Sequence, residues 1–252
     1  MTLATKMKIE LDKSLLEFLF GDREVVRLAR VLISIDLFFV MVHGIKYAFK
    51  QDFIDLFGYW IYRNLTITND WALPEIINYL KFAAIIYLLC RVYAIIRQPV
   101  YLALAFVFTV ALLDDSLQVH EGMGAYIGNM LGEFVQFGTE LQSHQGLRVQ
   151  DIGELIMFAI YGSVFSLVLG IGFLRSQLQH RKIGVGFGLL LGSLAFFAVV
   201  VDVIDRVAAS YSRTLAQVVA TIEDSGEMFV VSLTVAFAFV VYRRHGPNAI
   251  QP

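Results

Sequence analysis

Charged residues, cysteine and proline are all scarce in this sequence. Charged residues make up only 17% of the 252 positions, whereas a soluble domain has about 25%. The single cysteine, Cys90, excludes an intramolecular disulfide and a zinc site made of cysteine pairs. A net charge of −2 gives no sign of a nucleic-acid partner. With 58% hydrophobic residues and only 4 prolines, the chain is not a soluble globular domain. It is expected to be a polytopic α-helical membrane protein.

Six stretches are apolar enough to cross a bilayer, whose hydrocarbon core takes roughly 20 helical residues. They fall near residues 27–49, 74–96, 99–122, 151–174, 183–208 and 215–242. Pro74 and Pro99 stand at helix starts, where proline is tolerated. The sequence therefore predicts an all-α integral membrane bundle of about six transmembrane helices, forming one domain over residues 27–245.

The N-terminal segment, residues 1–26, is predicted to be an amphipathic helix. It has charges of both signs and no apolar run followed by a cleavage site. Leu11, Leu15, Phe18 and Leu19 recur at helical spacing. Two placements stay open for it, one on the membrane surface and one packed on its own protein in the cytoplasm.

The basic residues predict an orientation, because cytoplasmic loops are rich in lysine and arginine. With both termini in the cytoplasm, the basic turn 175–182 and the flank of Arg243 and Arg244 lie inside. A bacterial inner (plasma) membrane is the expected location. The two long outer loops are then 51–73, whose aromatic residues suit the membrane surface, and 123–150, in which we expect a short interfacial helix.

Acidic and histidine side chains inside the predicted spans gather toward one side of the membrane. Although the spans alternate in direction, these residues fall roughly 5–10 Å below the outer surface at a rise of about 1.5 Å per residue. Asp36 alone lies near the middle, where two roles stay open for it, pairing with another polar group and proton movement. The outer layer contains Asp114, Asp115, His120, Glu121, Glu154, Asp202, Asp205, Glu223 and Glu227, with His43 nearby.

Helical spacing predicts that these side chains face one another. Residues three, four or seven apart share a helix face, as do Asp114 and Glu121, or Glu223 and Glu227. So many carboxylates need protons, basic partners or cations, since burial and mutual repulsion disfavour their charge. We expect a divalent metal, either Fe, Mn, Zn or Ca. The predicted ligands are Asp114, His120, Glu121, Glu154, Asp202, Asp205, Glu223, Glu227 and His43.

The metal's identity stays open at this point. Carboxylates with imidazole in a bundle are typical of di-iron and di-manganese proteins, but the usual Glu-x-x-His pair is missing. A set made only of oxygen ligands suits Ca²⁺, Mg²⁺ or Mn²⁺. His43 is either a ligand or a hydrogen-bonded packing residue. His120 and Asp115 are the expected catalytic acid and base.

Two short motifs resemble those of uncharacterised bacterial multi-pass membrane proteins. Residues 114–121, DDSLQVHE, resemble a D-[DE]-x4-H-E motif, and residues 223–228, EDSGEM, resemble a late E-[ED]-x-x-E-M motif. The resemblance implies a shared site on facing helices. It brings no known reaction.

Three functions are compatible with this pattern. The first is a metal-dependent enzyme acting on a membrane lipid or another apolar small molecule. The second is a transporter of divalent cations or protons, although the inner halves of the spans are almost wholly apolar. The third is an accessory subunit with a structural metal or polar cluster, in a membrane complex or homo-oligomer.

Overall fold

The computed structural model describes residues 21–134 and 148–245, and every regular element in these two ranges is helical. Residues 1–20 of the predicted N-terminal helix lie outside them. A six-residue π-helical segment, Phe196–Val201, directly joins two of the helices. The helices are α1 (Arg23–Ala48), α2 (Lys50–Asn64), α3 (Leu73–Ile96), α4 (Pro99–Leu117), α5 (Val119–Phe134), α6 (Val149–Leu174), α7 (Leu178–Ala195), α8 (Asp202–Tyr211) and α9 (Arg213–His245).

Five helical segments are long and apolar enough to cross a membrane. They are α3, α4, α6, the continuous segment Leu178–Tyr211, and α9. The predicted first span coincides with α1, which is not one of the five. The chain therefore has the helices of a multi-pass membrane protein, and the count of six is not confirmed.

The longest helix, α9, lies at the centre of the bundle. It packs against α1, α3, α7 and α8, while α4 packs against α3, α6 and α7. Between these helices a continuous apolar core includes Phe82, Leu89, Leu104, Phe108 and Val235. Since lipid is as apolar as these side chains, close packing rather than exclusion from water holds the helices together.

Close glycine contacts fix α5 against the beginning of α6. A Cβ atom on Gly153 of α6 would lie 1.9 Å from the carbonyl oxygen of Gly124 on α5. A Cβ atom on Gly128 would lie 2.4 Å from the carbonyl oxygen of Val149. Only glycine permits such an approach of two helix backbones. These contacts hold the first turns of α5, which include His120, against α6.

Two predicted boundaries differ from the structure. The expected loop 51–73 begins as α2, a helix with no buried residue and a kink at Gly58, whose φ is 83°. Its amphipathic sequence forms a helix on the surface of the bundle, with Tyr59 and Trp60 exposed. The short helix expected in 123–150 forms as α5 but begins earlier, at Val119.

Candidate functional site

One cavity of about 540 Å³ opens among α3, α4, α6, α7, α8 and α9. Its two ends differ in chemistry. The first, which we call the acidic end, lies where α4 ends, where α3 and α6 begin, and beside the first half of α9. The second, the apolar end, lies deeper in the bundle and is lined by residues such as Phe82, Val107, Phe165 and Leu169.

Acidic side chains far outnumber basic ones around the cavity. Of the lining residues that the structure describes, ten are acidic, whereas only His120 and Arg206 can be cationic. The acidic lining residues are Asp70, Glu75, Asp114, Asp115, Glu121, Glu154, Asp202, Glu223, Asp224 and Glu227. The structure thus brings together all the sequence-predicted site residues except Asp205 and His43, and their roles stay predictions.

Three groups surround the carboxylate of Asp114 at the end of α4. The backbone N–H of His120 donates to its Oδ1 at 2.9 Å, and the hydroxyl of Tyr161 donates to the same oxygen at 2.8 Å. Nδ1 of His120 lies 2.8 Å from Oδ2. With an ionised Asp114, Nδ1 bears the proton and Nε2 remains to meet a ligand. This is the arrangement by which a carboxylate orients a catalytic or metal-binding histidine.

The break between α4 and α5 makes this contact possible. Gln118, between the two helices, has a left-handed φ of 51°, an uncommon conformation for a residue other than glycine. The chain therefore turns back, and the carboxylate of Asp114 reaches an N–H group in the first turn of α5. That N–H has no partner within its own helix, so the Asp114 contact caps α5 as well as orienting His120.

The imidazole of His120 is held from a second side by α6. Its ring lies 5.1 Å from the ring of Phe158 between centroids, and Phe158 is one turn before Tyr161. Burial disfavours the charged imidazolium, but the hydrogen bond and charge of Asp114, with Glu121 and Glu154, outweigh it and raise the pKa of His120. His120 therefore holds its proton more tightly than a free imidazole does.

The π-helical segment before α8 precedes the polar residues of that helix. Such segments occur often at functional sites, because an extra residue in the turn changes the face that follows. Asp202 and Arg206, four residues apart, both line the cavity, and Nη2 of Arg206 lies 3.4 Å from Oδ1 of Asp202. Arg206 also approaches Asp151 of α6, with 3.9 Å between Nε and Oδ1.

Asp205 and His43, both predicted as metal ligands, lie apart from the cavity lining. Asp205 is not among the residues that line the cavity, and its buried Oδ1 has no hydrogen-bond partner among the described residues. Nδ1 of His43 accepts the backbone N–H of Ile67 at 3.4 Å. Their role as metal ligands stays a prediction.

Several polar residues of the cavity, including Tyr161, Asn78 and Glu75, were not among the sequence-predicted site residues. Tyr161 lies seven residues after Glu154 on α6, so helical spacing could have placed both on one face. Asn78 and Glu75 come from α3, a helix on which no site residue was predicted. Asn78 is only 5% exposed, and its Oδ1 has no hydrogen-bond partner among residues 21–134 and 148–245.

No preformed metal cage exists in the described part of the chain. There, no three histidine, cysteine, aspartate or glutamate side chains form a group that could hold one metal ion. Asp115, on α4, is nevertheless close enough to Asp224 and Glu227 of α9 for their charges to act on one another. The acidic end therefore attracts cations without offering a complete shell of protein ligands.

A family model described as a domain of unknown function (DUF8692) matches residues 77–241, and the chain belongs to that family. The matched segment is more than half of the chain and includes every acidic residue of the cavity except Asp70 and Glu75. No curated protein and no solved structure matches the chain.

Proposed function

We propose that this member of the DUF8692 family is a cation-dependent membrane enzyme that acts on a lipid or another apolar substrate. The proposal rests on one observation. A single cavity joins an acidic end, with an oriented histidine, to an apolar end within the membrane-crossing part of the bundle. The polar head of an amphiphile would match the acidic end, and its apolar body would match the apolar end.

The charge of the acidic end supports the cation. Ionisable groups in a membrane interior are costly unless they are paired, and His120 and Arg206 cannot balance ten acids. A divalent cation at the acidic end would take oxygen ligands from one or two of the carboxylates of Asp115, Asp224 and Glu227. Mg²⁺ in particular keeps several waters and uses one or two carboxylates together with oxygens of its substrate. That habit agrees with the incomplete group of protein ligands, and it favours Mg²⁺, Mn²⁺ or Ca²⁺ over zinc or iron.

His120 would be the acid–base group of the reaction. Tyr161 holds the carboxylate of Asp114, and that carboxylate orients the imidazole of His120. Nε2 of His120 would exchange a proton with the bound substrate. The cation would polarise an oxygen of the substrate or of a bound water. By the distribution of basic residues, the acidic end would face the non-cytoplasmic side of a bacterial inner membrane.

Elemental analysis of the purified protein tests the cation. We expect a near-stoichiometric divalent cation in the wild type and its loss when Asp115→Asn and Glu227→Gln are combined. Asp55→Asn is the matched control, because Asp55 is an exposed acid of α2 outside the cavity. Equal cation content in all three proteins would remove this part of the proposal.

Lipid analysis of native cells tests the reaction. When the gene encodes His120→Gln, one lipid species should accumulate and another should be depleted relative to wild type. Identical lipid profiles would contradict an enzyme, as would His120-independent uptake of Mn²⁺ by liposomes that contain the protein.

A further inference from the structure

The two helices α6 and α7 follow one another in the chain but separate within the bundle. α6 packs on α4 and α5, whereas α7 packs on α9 and α4, and the two make few contacts with each other. Their connection is fixed, since Ser176 Oγ accepts the backbone N–H of Val100 at 3.0 Å and Arg181 Nε donates to the carbonyl of Ser176 at 2.7 Å. The cavity extends into a groove between α6 and α7, since residues of both helices line it.

Small residues occur on both walls of the groove, beside larger apolar residues such as Phe165 and Leu191. Large apolar side chains of the same helices, such as Leu167 at 65% exposed and Leu189 at 70% exposed, lie outside it. A Cβ atom added at Gly162 or Gly192 would meet no other group within 4 Å. The small residues lining the groove are Gly162 and Ser166 of α6, Gly192 and Ala195 of α7, and Ala198 of the π-helical segment.

The groove is continuous with the acidic end, and its wall is longer than the depth of one leaflet. Its wall on α6 runs from Glu154 to Leu169, about 22 Å at roughly 1.5 Å per residue. Half of a bilayer's hydrocarbon core is about 15 Å. A chain in the groove could therefore lie parallel to the lipids of one leaflet while its head remained among the carboxylates.

Asn78 is a second, independent sign of a ligand. It lines the same cavity from α3, and its buried Oδ1 lacks a hydrogen-bond partner among the described residues. A buried polar atom without a partner costs about 1–3 kcal/mol. A polar head group at the junction of the two ends would satisfy it.

We propose that one hydrocarbon chain of a membrane lipid occupies the groove between α6 and α7. The lipid enters sideways from the bilayer and places its head at the acidic end. This assignment deepens the proposed function and rests on it, since it names the substrate as a lipid held by one chain. The volume of about 540 Å³ is that of a site for one drug-sized ligand, so a second chain would remain in the bilayer.

Photolabelling with a phospholipid that has a diazirine near the end of one acyl chain tests the assignment. The protein is reconstituted in vesicles of phosphatidylethanolamine and phosphatidylglycerol that contain this probe. All variants are made in the His120→Gln background, so that labelling does not depend on turnover. Gly162→Leu and Gly192→Leu fill the groove. Gly170→Leu and Gly188→Leu are matched controls, because those glycines also have no neighbour within 4 Å and lie outside the cavity lining.

We expect adducts on groove residues, Phe165, Ser166 and Leu169 or Leu191 and Ala195, in the parent and in both controls. Each groove-filling variant should lose these adducts at least about tenfold, which corresponds to about 1.4 kcal/mol. Equal labelling of all four variants, or adducts confined to outward residues such as Leu167 and Leu189, would overturn the assignment. Groove labelling together with an unchanged lipid profile in native cells would instead contradict the enzyme while retaining the bound chain.

Discussion

Lys81 of α3 and Asp36 of α1 form an ion pair in the middle of the bundle, with 2.5 Å between Nζ and Oδ1. The two side chains are 3% and 0% exposed. The hydroxyl of Ser232, on α9, donates to the other oxygen of Asp36 at 2.5 Å. Three helices thus meet at one buried carboxylate. Of the two roles left open for Asp36, pairing with another polar group and proton movement, the structure shows the pairing.

Replacing Lys81 by Met should destabilise the protein strongly, because it leaves the charge of Asp36 buried without its partner. Removing one member of a buried pair costs about 3–5 kcal/mol. Combining Lys81→Met with Asp36→Leu should restore much of that loss. Thermal unfolding in detergent, followed by circular dichroism, measures both, and a double variant no more stable than the single one would contradict the pairing.

Replacing Gly153 by Ala should separate α5 from α6. The new Cβ would lie 1.9 Å from the carbonyl oxygen of Gly124, and such overpacking typically costs about 1–3 kcal/mol. The unfolding temperature should fall accordingly. Gly170→Ala, where nothing lies within 4 Å, serves as control and should not lower it. Equal unfolding temperatures for the two variants would show that the glycine contact is not needed.

Replacing Asp114 by Asn should lower the pKa of His120. Without the carboxylate, burial of the imidazole opposes its charge and the main attraction to its proton is gone. NMR titration of histidine-labelled protein, freed of cations by chelation, measures the change. The signals of His43, which lies apart from the cavity, provide an internal reference. A pKa of His120 that stays raised in this variant would show that Asp114 is not its main partner.

Divalent cations should raise the unfolding temperature of the wild-type protein, and chelation should lower it. A ligand that binds only the folded state stabilises it by about 2.7 kcal/mol at 100 times its dissociation constant. The combined variant Asp115→Asn and Glu227→Gln should lose this response. Stabilisation of that variant by Mn²⁺ or Mg²⁺ equal to that of the wild type would place the cation elsewhere.

Much of the helical bundle could be predicted from the sequence, because length and hydropathy suffice for a helix in a membrane. The starts of α3 and α4 at Leu73 and Pro99 follow from prolines at positions where they are tolerated. The interruption of the fifth predicted span at Phe196–Val201 was not predictable in this way. All six of its residues are apolar, so composition does not reveal the π-helical turn.

Local spacing likewise did not correctly predict the arrangement of every pair of acids. The heptad from Asp114 to Glu121 appeared to align them on one continuous helix, yet the chain breaks at Gln118 and His120 folds back onto Asp114. Both residues still line the cavity, but through a turn rather than a shared helix face. Asp202 and Asp205, three residues apart, were predicted to share a face, but Asp202 lines the cavity and contacts Arg206, whereas Asp205 does not line it.

The sequence by itself determined that the chain forms apolar helices suited to a membrane, and on which side of the bundle the acids gather. Each of these depends on the order of residues along one chain segment. Only the tertiary structure decided which side chains meet. Residues distant in sequence come together in the Asp36–Lys81 pair, in the contact of Tyr161 with Asp114 and in the groove between α6 and α7. Their proximity depends on helix packing, which glycine contacts and one left-handed turn fix.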